Sequence, residues 1–141
     1  MKSERYQPDD PREWLNRARS NLIQAKSLQA GVYLEDLCFN AQQAGEKAIK
    51  ALLIQRDIAF PYVHDLAELL TILRETGERV PDPVAQAGRL SRFAVFTRYP
   101  GLARRVGQDE YEEAVEIAEE VVRWVEGRLK NLSGGTGGGT T

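Results

Sequence analysis

Five arginines and no acidic residue lie between Pro83 and Gln108, a stretch called the arginine window below. The whole chain has 19 basic and 21 acidic side chains, so the window carries +5 and the remainder −7. Guanidinium groups stay charged and form paired hydrogen bonds to phosphate, so the pattern predicts a surface for phosphates or for an acidic partner. The alternative is a solvated helix and loop whose arginine stems pack on apolar surface. The predicted ligand-binding residues are Arg92, Arg98, Tyr99, Arg104 and Arg105.

Tyr99 and Arg98, in the middle of the window, have two interpretations that the sequence leaves open. The Tyr99 ring can stack on a nucleobase, a contact worth about 1–3 kcal/mol. Alternatively, the ring packs between helices while Arg98 pairs with a carboxylate, since a buried arginine needs one. The candidate partners are Glu35, Asp36 and Glu46.

His64 is the only histidine and therefore the only residue whose ordinary pKa, about 6.5, suits proton transfer at neutral pH. Arginine stabilises phosphate charge but is a poor proton shuttle. The window is therefore suited to binding phosphate and poorly suited to cleaving a phosphodiester. His64 also has a local interpretation, bonding to the backbone or packing under the Phe60–Pro61 turn at the start of a helix.

The composition predicts one soluble domain, because 141 residues with 28% charged and 42% hydrophobic residues can form a core. A single cysteine and a single histidine exclude an internal disulfide and a cysteine-cluster or multi-histidine metal site, and we expect neither metal nor cofactor. Cys38 lies in an apolar helical run and is expected to be a buried, inert thiol. No apolar run approaches the roughly 20 residues of a membrane span, and the N-terminus lacks an apolar leader. A cytoplasmic location is the expectation.

The spacing of apolar residues is helical almost throughout and predicts an all-α, antiparallel up-and-down bundle. Four long helices and a short one fill residues 1–132, and a Gly/Thr-rich segment at 133–141 is predicted to be a flexible tail. The first predicted helix begins at Asp10–Pro11 and continues towards Leu28. The other four are predicted at Leu34 to Gln55, Leu66 to Glu75, Val84 to Phe96, and from Asp109 onwards.

Lys47 and Lys50 lie on the predicted polar side of the second helix. They are expected to be solvated, or alternatively to extend the basic surface. Glu46 and Lys50 have the spacing of a surface pair worth about 0.3 kcal/mol. Lys47, Lys50 and His64 are therefore secondary candidates for ligand contacts.

Three segments occur together in the order typical of one protein family. They are AQQAGEKAIKALL at 41–53, FPYVHDLAELL at 60–70 and Thr97-Arg98-Tyr99-Pro100. With them the chain resembles the HEPN domain family, over a length of about Trp14 to Leu129. The resemblance implies a helical bundle, a homodimer, and a partner nucleotidyltransferase of the MNT type. It also implies nucleotide or RNA binding, and in some members a ribonuclease toxin whose antitoxin is the nucleotidyltransferase.

Two departures from the family pattern bear on activity. Ribonuclease members use an arginine, a spacer of four to six residues and a histidine, and neither Arg92 nor Arg98 is followed by such a histidine. Asn21 stands where the first helix of the family often has an aspartate. A non-catalytic binding protein is therefore favoured. The alternatives are a divergent ribonuclease toxin using Arg98 with Tyr99 or His64, and a purely structural dimerisation module.

Overall fold

The computed structural model describes residues 4–94 and 105–138, with side chains described up to residue 130. The predicted all-helical bundle is confirmed, and these two stretches contain no strand. In the place of the predicted helix from Val84 to Phe96, the structure has a short α-helix that continues as a 3₁₀ helix. The elements are α1 (Pro11–Ala25), α2 (Leu34–Gln55), α3 (Leu66–Glu75), α4 (Asp82–Ala85), the 3₁₀ helix Gln86–Ala94 and α5 (Gln108–Gly138).

Aspartate caps begin α1 and α3. The carboxylate of Asp10 accepts a hydrogen bond from the Arg12 amide at 2.8 Å, and that of Asp65 accepts one from the Ala67 amide at 3.0 Å. Each cap satisfies an amide that has no partner inside its helix. The start of α3 is therefore fixed immediately after His64.

The end of α1 comes earlier than predicted, because the helix stops at Ala25 and Leu28 is exposed beyond it. The Ser27 amide bonds to the Gln24 carbonyl at 3.1 Å, and the Ser27 hydroxyl donates to the Ile23 carbonyl at 2.7 Å. The hydroxyl thus occupies the acceptor that the next helical amide would use. The predicted continuation to Leu28 is wrong for this reason.

Helix α2 is the central element and packs against both α1 and α5. Its small residues allow close approach: a Cβ added to Gly45 would lie 3.3 Å from a methyl of Leu66 and 3.4 Å from one of Leu90. Cys38 is fully buried, as expected, and burial raises the pKa of its thiol to about 12. A thiol with that pKa stays protonated and unreactive at neutral pH.

The fourth predicted helix is mostly a 3₁₀ helix, not an α-helix, over its described residues. Gly88 lies against α3, where an added Cβ would be 3.1 Å from the Cβ of Ala67. The narrower 3₁₀ helix fits this contact between two backbones. The helical segment begins at Asp82, two residues before the predicted start at Val84, and Pro81 precedes it without a side-chain cap. Phe96, the predicted end, lies outside the described residues.

The end of the bundle that contains the C-terminus of α2 is held by a buried carboxylate. Glu78, with a side chain only 4% exposed, lies 2.6 Å from Arg56 Nη1 and 3.0 Å from Arg128 Nε. Arg56 follows α2, Glu78 follows α3 and Arg128 lies on α5. One acid therefore connects three segments that are distant in sequence.

Helix α5 is assigned as far as Gly138, inside the segment predicted to be a flexible tail. The tail therefore stays a prediction. Across the part of the chain that the structure describes, none of the helices has the length and apolar character needed to cross a membrane.

Two glycines should respond in opposite ways to alanine. Gly88→Ala should lower the free energy of unfolding by about 1 kcal/mol, because the new methyl meets Ala67, whose Cβ cannot rotate away. Gly127→Ala should raise it by about 0.5–1 kcal/mol, because this exposed position of α5 has open space and alanine is the better helix former. Urea denaturation of both variants checks the signs, and equal signs would contradict the contact at Gly88.

Candidate functional site

Two arginines of the window, Arg89 and Arg92, are paired with acids on the first turns of α5. Arg92 Nη2 lies 3.0 Å from Glu110 Oε2, and Arg89 Nη2 lies 2.9 Å from Glu113 Oε1. Both arginine side chains remain about half exposed. The positive charge of the window is thus partly offset by α5, although no acid occurs within the window itself.

The C-terminal end of the window is attached to the start of α2. The Val106 amide donates to Glu35 Oε2 at 2.7 Å, which places the exposed Arg105 beside this end of α2. Glu35, one of the predicted partners for Arg98, accepts this backbone amide. Arg98, Tyr99 and Arg104 lie outside the described residues, so their predicted roles stay predictions.

A second polar cluster lies where the turn before α3 meets α2, and we call it the His64 corner (Gln42, Glu46, Lys50, Tyr62 and His64). Glu46 is 4% exposed and its two oxygens accept three side-chain hydrogen bonds. Gln42 Nε2 donates to Oε1 at 2.8 Å, Lys50 Nζ donates to Oε2 at 2.8 Å, and His64 Nδ1 lies 3.0 Å from Oε1. The buried charge is therefore both paired and hydrogen-bonded.

The Glu46 carboxylate also fixes the tautomer of His64. Burial raises the pKa of Glu46, but hydrogen bonds from Lys50, Gln42 and His64 more than reverse this and leave the pKa lowered. An ionised carboxylate only accepts hydrogen bonds, so the His64 proton sits on Nδ1. In the neutral ring Nε2 is then an acceptor, and the side chain is 53% exposed.

Lys50 is not solvated, contrary to the expectation for it, and its contact with Glu46 is not a surface pair. Its side chain is 5% exposed, and its ammonium lies 5.5–6.0 Å from three aromatic ring centroids. These rings belong to Trp14, Phe60 and Tyr62. Cation–π attraction therefore supports the charge that Glu46 neutralises.

Lys47 is half-buried and donates to Asn21 Oδ1 at 2.9 Å, while Asn21 donates to Asn40 Oδ1 at 2.9 Å. Burial and then Arg17 lower the pKa of Lys47. Asn21 thus joins α1 to α2 through neutral and cationic partners. Of the three secondary candidates, Lys50 and His64 share Glu46, and Lys47 binds elsewhere on the same helix.

The 3₁₀ helix, which is part of the window, is hydrogen-bonded to the residues that follow His64. The Leu66 amide donates to Ser91 Oγ at 2.9 Å, and the Ser91 hydroxyl donates to Asp65 Oδ1 at 3.3 Å. His64 precedes Asp65 and Arg92 follows Ser91. Arg92 and His64 are therefore each one residue from the same hydrogen-bonded contact, which their separation in sequence did not indicate.

Comparisons with known proteins point to one family. The model of the HEPN domain family matches residues 11–128. The solved structures that match include an archaeal HEPN homologue, which is 26% identical and has a TM-score of 0.68 over 85% of this chain and 98% of its own. They also include TT1696 from Thermus thermophilus, which is 35% identical and has a TM-score of 0.72 over 82% of this chain and 95% of its own. No curated protein sequence matches.

Replacing Glu46 by glutamine should give a pH-dependent loss of stability. The folded-state pKa of Glu46 is lowered, so its contribution is present above the unfolded value of about 4.3 and is lost as the pH falls through the folded value. Glu46→Gln should therefore destabilise by about 3 kcal/mol at pH 7, because Lys50 loses its counter-charge, and by less in acid.

Urea denaturation of both proteins from pH 7 to pH 3 at constant ionic strength measures this difference. Glu68→Gln, an exposed substitution on α3, is the control and should stay within about 0.5 kcal/mol of wild type. A Glu46→Gln deficit that does not change with pH would show that Glu46 contributes no ionic stabilisation.

Proposed function

We propose that this chain, which belongs to the HEPN family, is a nucleotide- or RNA-binding protein that acts as a homodimer with a partner nucleotidyltransferase, in a toxin–antitoxin pair. The observation that carries the proposal is the arginine window, five guanidinium groups without an acid, in a bundle of this family. Arg92, Arg98, Tyr99, Arg104 and Arg105 are the proposed ligand-binding residues.

The pairing of Arg92 with Glu110 is compatible with phosphate binding. An exposed ion pair of this kind contributes about 0–1 kcal/mol, so exchanging its partner costs little. A phosphate oxygen pair accepts both hydrogen bonds of a guanidinium and carries more charge than a carboxylate. Phosphate can therefore replace Glu110 at Arg92, and Arg105 supplies a second exposed cation at the attached end of the window.

A binding role is favoured over a catalytic one because the window has no histidine. The single histidine of the chain, His64, belongs to the turn before α3, where Glu46 and not a window residue bonds to its Nδ1. A guanidinium cannot take over proton transfer at neutral pH. The window by itself has the groups to hold a phosphate and lacks a group to activate a hydroxyl.

Titration with ATP and with a short RNA tests the binding role. Arg98→Ala combined with Arg104→Ala should weaken both ligands at least tenfold and reduce the dependence of affinity on salt, because phosphate contacts release counterions. Arg74→Ala combined with Arg79→Ala removes the same charge from exposed positions outside the window and should change neither the two affinities nor their dependence on salt. Equal binding by the two double variants, or no binding by wild type, would rule the proposal out.

The catalytic alternative has one observation in its favour. The Glu46–His64 contact is the arrangement in which a carboxylate orients an imidazole, leaving Nε2 to accept a proton. In a ribonuclease using it, Nε2 would take the proton of the 2′-hydroxyl, whose oxygen attacks the phosphorus. The 5′ oxygen would leave and take a proton from water, giving a cyclic phosphate.

Incubation of the protein with end-labelled RNA and EDTA tests this alternative. A ribonuclease using His64 should cleave RNA, and His64→Ala should reduce the rate at least 100-fold, as loss of a general base does. Wild type that leaves RNA intact at high concentration, or cleavage that survives in His64→Ala, would exclude His64 as the base.

A further inference from the structure

We propose that the His64 corner binds the base of a nucleotide, with the ring of Tyr62 as a stacking surface and Nε2 of His64 as a hydrogen-bond acceptor. The proposal rests on the proposed function and adds a second subsite to it, one built only from described residues. It also gives a role to the exposed rings of Tyr62 and His64, which lie at the surface end of the buried Glu46–Lys50 pair.

Tyr62 is the most exposed large hydrophobic side chain among the described residues, at 93%. Two groups lie beside the ring: the His64 ring centroid is 6.3 Å from the Tyr62 centroid at an interplanar angle of 69°, and Lys50 Nζ is 5.5 Å from that centroid. A solvent-facing aromatic ring is the feature on which single nucleobases stack.

His64 offers a directed acceptor beside this ring. Its Nδ1 proton bonds to Glu46, and its backbone carbonyl accepts a hydrogen bond from Gln42 Nε2 at 3.2 Å. Gln42 and Glu46, which are one helical turn apart on α2, therefore both bond to His64. The other ring nitrogen, Nε2, can accept a hydrogen bond in the neutral ring from an N–H such as the exocyclic amine of adenine.

Arg92, one of the residues proposed to hold phosphate, is linked to the corner through the Ser91–Asp65 hydrogen bond. His64 and Arg92 are each one residue, about 3.8 Å between Cα atoms, from the hydrogen-bonded pair Asp65 and Ser91. A nucleotide with its phosphates at Arg92 can therefore direct its base towards the corner. The charge there suits such a ligand, because the nearest buried acid, Glu46, is neutralised by Lys50.

Calorimetric titration with ATP and with inorganic triphosphate separates a base subsite from a phosphate site. Tyr62→Ala should weaken ATP about tenfold and leave triphosphate unchanged, because it removes stacking only. Tyr62→Phe, which keeps the ring, should bind ATP like wild type. Tyr33→Ala removes another exposed tyrosine, 71% exposed at the start of α2, and should affect neither ligand.

ATP and purine riboside triphosphate differ by the exocyclic amine and test the acceptor, because the unsubstituted purine has no N–H at this edge to donate in its place. Wild type should bind ATP more tightly than purine riboside triphosphate, and His64→Ala should bind the two equally, because it no longer accepts from the amine. Equal affinity of wild type for ATP and triphosphate, or of Tyr62→Ala and wild type for ATP, would overturn the base subsite while leaving phosphate binding intact. Binding of neither ligand by wild type would remove the window proposal and this one together.

Loss of partner-protein binding in Tyr62→Ala, with ATP affinity unchanged, would instead make the corner a protein-docking surface and would also overturn the base subsite.

Discussion

The buried carboxylate of Glu46 is the constraint on which the arrangement of the other elements depends. A charge in the interior is tolerated only with partners, and Glu46 takes them from its own helix and from the turn before α3. Because that carboxylate must face the turn, the rotation of α2 about its axis is determined. Gly45, the adjacent residue, is then directed at Leu66 and Leu90, where α3 and the 3₁₀ helix approach most closely. One ionic group thus sets the side of α2 on which those two helices pack.

Much of the fold follows from local chemistry that is visible in the sequence. Asp10 and Asp65 cap helices because their carboxylates reach free amides two residues on, and this depends on nothing distant. The 3₁₀ form of residues 86–94 was missed because it depends on the approach of Gly88 to Ala67. Apolar spacing predicts a helix there, but the type of helix is determined by a neighbour that is remote in sequence.

The candidate site could also be predicted only in part, because some of its features follow from local spacing and others from contacts between segments that are distant in sequence. The spacing of Gln42, Glu46 and Lys50 places them on one face of α2, but their burial depends on Trp14 and Phe60, from other segments. Neither the neutralisation of Arg92 by Glu110 nor the proximity of window and corner through Ser91 has a local signature. Conversely, Asn21 was recognised in the sequence only as a departure from the family pattern, whereas the structure shows that it accepts a hydrogen bond from Lys47.

The two ends of the bundle are held by interactions of different kinds. The carboxylate of Glu78 is almost excluded from solvent between its two arginines, whereas Arg89 and Arg92 meet their acids at the surface. Dissolved ions screen the exposed pairs and reach the enclosed one far less. Ionic strength therefore acts on the two ends unequally, loosening the ties between the window and α5 while the opposite end stays closed. The anions that would compete with phosphate at the proposed binding residues would therefore also weaken the attachment of the window to α5.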